Sequence, residues 1–197
     1  MTSNQSLLQT LRTAAPCWSA LGFTYEDPHR AVRYFCTPKN AEIFGSLGAD
    51  GIHYCTVPDL GEYVFMVIPM PADDRYVLPV ADNMAHFFSL VAAMHGTQLM
   101  DQLVGWDRNM FDDALRCLLE EEDSHRAEEL NAMLALIPCT PAEDPYGEIR
   151  TRIDRFNPAC IIYSAEYYET LGITPPEKKE KSWDFVSTVT RWIPHKD

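Results

Sequence analysis

The stretch IHYCTVPDLGEYVFMVIPMPADDRYVLPVA, residues 52–81, decides the fold. Its first run, Ile52–Pro58, alternates, with Ile52, Tyr54 and Thr56 on one face and His53, Cys55 and Val57 on the other. Such a period of two is that of a strand. The second run, Tyr63–Met70, is apolar throughout and rich in β-branched residues, which predicts a central strand covered on both faces. Tyr76–Val80 is a third strand, whose Pro79 cannot donate to a ladder and so belongs at an edge or a bulge. PDLGE and PADDR are short, turn-forming links, so the three strands read as an antiparallel meander.

Helices flank this sheet. Upstream, Leu7, Leu8, Leu11, Ala14 and Ala15 give residues 1–15 one apolar face, and Pro16 stops it. Residues 37–51, TPKNAEIFGSLGADG, read as a short helix entered through Pro38 and ended by glycines that mark turns or close packing. Downstream, Asp82 or Asn83 caps a buried helix that runs to residue 95 and ends at Gly96. Asp107 caps another, and the spacing of Phe111, Leu115, Leu118, Ala127, Leu130, Leu134 and Ile137 lets it continue to Pro138. Residues 138–147 form a loop, and ACIIY (159–163) is a candidate strand. A short helix opened by Ser164 ends at Gly172, with Ile173 packed behind it. Residues 175–181 connect to a closing segment, 182–194, whose β-branched and aromatic content favours strand. The whole reads as one α+β domain over 1–197, a mainly antiparallel sheet wrapped by helices.

Composition restricts function. The 197 residues carry 16 Lys plus Arg against 29 Asp plus Glu, a net charge of −13. That opposes binding to nucleic acid or to anionic membrane surfaces, both of which need dense basic charge. No apolar run is long enough to span a bilayer, and Arg12 interrupts the only apolar run of the N-terminus, so no signal peptide is expected. Six scattered cysteines without a CxxC pair suit buried thiols in a reducing cytoplasm.

The charge is concentrated. Residues 101–150 hold four basic and thirteen acidic side chains, centred on Glu120, Glu121, Glu122 and Asp123, followed by Glu128 and Glu129, within an acidic helical segment over 106–137. Two readings stand: a solvated face that maintains solubility, or a docking surface for a basic partner. No DxDxDG calcium loop accompanies it.

No GxSxG, Walker loop, GxGxxG or HExxH is present. His53 and Cys55 share a strand face as a nucleophile–base pair would, but i,i+2 neighbours lie about 6.6 Å apart along the backbone, so a buried histidine and a core thiol fit better. Asp82 and His86, at i,i+4, can orient a carboxylate toward an imidazole or serve as a cap beside a surface histidine. His125 sits at helical spacing from Glu121, Glu128 and Glu129, which suits a solvated charge cluster better than a metal site. No cofactor, metal or catalytic residue is assigned. Trp106 marks a place between sheet and helices where a small molecule could sit.

FGSLGADGIHYCTVPDLGEYVFMVIPM followed by YVLPVADNMAHFFSLV resembles the SUKH superfamily over residues 40–120. That superfamily includes fungal cell-wall assembly regulators and bacterial immunity proteins. The likeness lies in a glycine-rich turn, two strands, a short strand ending Pro79-Val80-Ala81, and a helix entered near Asn83 with Phe87, Phe88 and Leu90 on its face. Phe44-Gly45-Ser46-Leu47-Gly48 stands where many members have an Asn-Gly-Gly turn. The resemblance implies an α+β fold, no catalytic residues and a cytoplasmic protein-binding role, such as neutralising a basic toxin. An enzyme of unfamiliar type using His53, Cys55 or His86, and a small-molecule sensor, are the alternatives.

Overall fold

The computed structural model describes residues 3–14, 18–137 and 139–176. Five strands, β1 (Thr24–Tyr25), β2 (Glu42–Ser46), β3 (His53–Thr56), β4 (Val64–Val67) and β5 (Val77–Ala81), form one sheet in that order. Every neighbouring pair is antiparallel. The six helices are α1 (Ser3–Ala14), α2 (Met84–Met94), α3 (Arg108–Glu120), α4 (Ser124–Leu134), α5 (Pro145–Arg155) and α6 (Ala165–Leu171). The expected α+β meander is what forms, with Pro79 on the terminal strand.

Strand alternation divides the interior into two layers. Phe44, Tyr54, Val64 and Met66 face the larger core under α2, while Ile43, Cys55, Phe65 and Val67 face a smaller one. The smaller layer is closed by Ala31, Phe35, Phe156, Tyr163 and Tyr167, from segments that are largely irregular. β4 is therefore covered on both sides, as its unbroken apolar run requires. α2 lies across the larger face with Phe87, Phe88, Leu90 and Val91 fully buried. Its N-cap is Asn83, whose side chain accepts from His86 N–H. Asn4 of α1 also accepts from Met84 N–H (2.9 Å) and donates to Glu62 O (2.7 Å), which pins α1 to the entrance of α2. The Tyr54 hydroxyl lies against Thr97 but closes no hydrogen bond of good geometry, a cost accepted for the ring packing around it.

Four expectations need correction. Residues 37–51 are not a helix: β2 runs through their middle. Asn40 is left-handed (φ 64°), and Ile43 and Phe44 then point to opposite faces. Phe44, Gly45 and Ser46 are thus strand, not turn. Gly45 is needed for close approach, since a Cβ there would lie 2.5 Å from Phe23 Cδ2. Gly48 and Gly51 do make the turn, at φ 73° and 70°. Second, the helix from Asp107 does not continue to Pro138. It ends at Glu120, and α4 begins at Ser124 after an extended Asp123 (ψ 131°). Adjacent carboxylates repel one another and sit unfavourably at a helix C-terminus. Third, residues 159–163 are not a strand, because Pro158–Cys160 form a 3-10 turn. Fourth, Ile173 is 48% exposed, although Gly172 is left-handed as expected. The closing segment 182–194, with Trp183 and Trp192, lies outside the described residues.

Candidate functional site

The acidic residues fall at the corner between α3 and α4. Glu120, Glu121, Asp123 and Glu128 are exposed, and none has a basic partner among the described residues. Glu122 behaves differently. Its side chain is only 9% exposed; Oε2 lies 2.8 Å from His95 Nδ1 and Oε1 lies 3.5 Å from Arg126 Nη1. Arg126 also donates to His95 O (2.6 Å), so Glu122 fastens the corner to the end of α2 and is not part of the exposed set. Glu129 is paired with His125 at 3.8 Å.

Helix α3 carries the exposed set on a surface with little burial of its own. Of its thirteen residues only Phe111 is fully buried. Asp112, Leu115, Arg116, Leu119 and Glu120, spaced as one helical face, line a shallow open depression. Leu119 is 40% exposed within it. The depression's apolar residues are flanked by two acidic groups and one basic group, Arg116, which is paired with Asp113, and such a mixed, net-acidic face can receive a basic protein.

Asp82 and His86 do come together, but in company the sequence did not indicate. His86 Nδ1 accepts from Asp82 N–H (3.3 Å) and from Arg152 Nη2 (3.2 Å). Nε2 therefore carries the proton and donates to Glu148 Oε2 at 2.8 Å. Arg152 grips Asp82 with two bonds of 2.7 Å. Glu148 and Arg152 come from α5, which corrects the expected loop over 138–147: the helix begins at Pro145, and no element is expected there from the sequence. Its signals are Asp144 as N-cap, Pro145 at the first helical position, and Ile149 and Ile153 at i,i+4. The groove beside this cluster, about 720 Å³, is lined by Tyr63, Thr151, Arg155, Phe156 and Cys160 among others. The cluster's polar atoms are bonded to one another, so its first role is to hold α5 against β5 and α2.

His53 and Cys55 do not form a dyad. Cys55 is fully buried, and burial pushes its thiol up to about 12. His53 is 2% exposed, donates from Nδ1 to Gly51 O (2.8 Å) and receives the Thr37 hydroxyl at Nε2 (3.2 Å). That hydroxyl accepts in turn from Tyr34 N–H (2.9 Å), so the imidazole ties the loop around Tyr34 to β3. Burial is the main force holding His53 below its ordinary value. Arg33 adds to the depression, while Gly51 O and Glu26 oppose it. The unfolded chain then takes up the proton first. Stability from this group is complete above about pH 6.5 and is lost as pH falls from there toward the folded-state value. Urea midpoints followed from pH 7.5 to 5 should therefore fall more steeply in the wild type than in His53→Gln. Parallel curves would remove His53 from the pH response.

His125 is exposed, and among the described residues no three His, Cys, Asp or Glu side chains converge as metal ligands would. The five described cysteines are free thiols. No described helix is long and apolar enough to cross a membrane. Compared with known proteins, the chain matches no protein-family model, no curated protein and no solved structure.

Proposed function

We propose that the chain is a cytoplasmic protein-binding module of immunity type, which neutralises a basic protein by docking it on the corner between α3 and α4. The observation that carries this reading is the set Glu120, Glu121, Asp123 and Glu128, exposed without basic partners beside the half-exposed Leu119. Uncompensated charge steers a partner of opposite sign, and an exposed apolar residue beside it gives the encounter something to bury. The SUKH resemblance points the same way: members of that superfamily act mostly by binding proteins, and an acidic surface suits the occlusion of a phosphate-binding face.

The test is a tagged pull-down from host lysate at low and high salt, run beside the double variant Glu120→Lys, Glu121→Lys. A single basic protein should be held by the wild type at low salt and released at high salt. The variant, folded by circular dichroism, should bind it at least about tenfold more weakly, mostly through slower association. Equal affinity for wild type and variant would remove the acidic corner from the mechanism.

A further inference from the structure

A second concavity lies against the 3-10 turn Gln102–Val104 that precedes α3. It encloses about 270 Å³ and is walled by Ile52, Ile68, Met70, Val104 and Trp106, with Asp50 and Asp101 as its only charged lining groups. Trp106 is half-buried: it packs against the larger core, stacks on no other ring among the described residues, and contributes to the lining of the cleft. Met70 beside it is 71% exposed. Neither aspartate forms an ion pair among the described residues. Asp101 accepts from Gln102 Nε2 (2.7 Å) and is further held by backbone N–H groups of the turn, its own and that of Gln102. Asp50 is exposed on the left-handed turn between β2 and β3 (φ 51°). Arg150 is not part of the lining; its guanidinium donates to Leu103 O (3.0 Å) and Val104 O (3.4 Å).

From this geometry we infer that the cleft is a binding site for an organic cation carrying an apolar stem, a guanidinium or alkylammonium group. The carboxylates of Asp50 and Asp101 meet the charge, the indole of Trp106 takes its face, and Met70 and Val104 bury the stem. A carboxylate and an aromatic face on an apolar floor suit a guanidinium best, because its flat fork bonds the one and stacks on the other. Desolvation first, and Asp50 in addition, raise the Asp101 carboxyl above its ordinary value. An incoming cation offsets both effects by stabilising the charged carboxylate. The same chemistry arrives either as a free amine or as an arginine side chain on a protein. The site does not depend on the acidic corner being a docking surface.

The test uses the full chain labelled with fluorotryptophan and followed by fluorine NMR, with the Trp106 resonance assigned through Trp106→Phe. Agmatine and a blocked arginine are titrated separately, with blocked norleucine as the uncharged control. Both cations should shift the Trp106 resonance saturably, with a Kd on the order of 1 mM for such small ligands, and the control should not. Tighter binding of the blocked arginine marks a protein side chain as the natural occupant, and tighter binding of agmatine marks a free amine. Asp101→Asn and, separately, the exposed Asp50→Asn should each weaken binding severalfold with the thermal midpoint retained. The inference is overturned if the cations give no saturable shift, if the control shifts Trp106 equally, or if both variants bind as the wild type does.

Discussion

Truncation of Phe87 to alanine is expected to cost about 3–5 kcal/mol, the range for removing a fully buried aromatic ring. Phe87 projects from α2 into the place where three other segments deliver rings. Tyr54 of β3 lies at 5.1 Å, Phe44 of β2 at 5.7 Å and Phe23, just ahead of β1, at 6.1 Å. Most of these contacts are edge-to-face or tilted, the favourable arrangement for aromatic quadrupoles. No neighbour can collapse into the space freely. Phe23 is seated against Gly45, and Tyr54 is fixed in the middle of the sheet. The cavity term therefore adds to the lost transfer energy. Domains are stable by only about 5–15 kcal/mol, so the variant should fold marginally, with its urea midpoint lowered by roughly 1–2 M and a slope like that of the wild type. Leu119→Ala on the exposed face of α3 is the contrast, with a change within about 0.5 kcal/mol. A loss below about 1 kcal/mol for Phe87→Ala would mean that the ring is not the keystone of the layer.

What the sequence made legible, and what it hid, follows from the range of the interactions. β3, β4, β5 and α2 announce themselves locally, through alternation, an unbroken apolar run, and Asn83 followed by paired phenylalanines. Asp107 as a cap and Gly172 as a stop are equally local. β2 is hidden because only Ile43 and Phe44 carry its pattern, between a left-handed Asn40 and a glycine that serves packing; its identity comes from pairing with β3. The break at Glu121–Asp123 is hidden from periodicity, which counts apolar positions and ignores repulsion among adjacent acids. Of the acidic set, charge density located the corner, but only the fold shows that Glu122 turns inward to His95 and Arg126. The pairing of Asp82 with His86 was visible at i,i+4, whereas their partners Glu148 and Arg152 are more than sixty residues away and came from a helix that was not identified.

Those distant partners set the second large effect. Arg152→Ala is expected to cost about 2–3 kcal/mol, because one side chain satisfies several groups at once through charged hydrogen bonds. Besides its two bonds to Asp82, it donates to Val80 O (3.3 Å), to Glu148 O (3.2 Å) and to His86 Nδ1 (3.2 Å). Arg152 is 12% exposed and Asp82 is 55% exposed. The two ends of the pair are therefore unequal. Without the arginine, water can still reach Asp82, but the edge carbonyl of β5 and His86 Nδ1 each lose a donor. Asp82→Asn should accordingly be milder, about 0.5–1 kcal/mol, as for an exposed ion-pair partner. Arg152→Lys should recover little, since an ammonium cannot reproduce the fork. The bond from Arg152 holds the Asp82 carboxyl below its ordinary value, with His86 contributing in the same direction. That part of the stability is present above the unfolded carboxylate's pKa, is lost as pH falls through the lower folded-state value, and should be absent from Arg152→Ala. The consequence extends along α5. Asp144 at its N-cap grips Arg108 at the start of α3 (2.6 Å), and Arg150 holds the turn at Leu103 and Val104. Loosening α5 at Arg152 should therefore raise amide exchange across residues 102–112, the turn that carries Trp106 and the first turns of the acidic helix, before β3 or β4 responds. Uniform acceleration across the whole chain would show that Arg152 supports only global stability, and equal losses for Arg152→Ala and Asp82→Asn would place the effect in the ion pair itself.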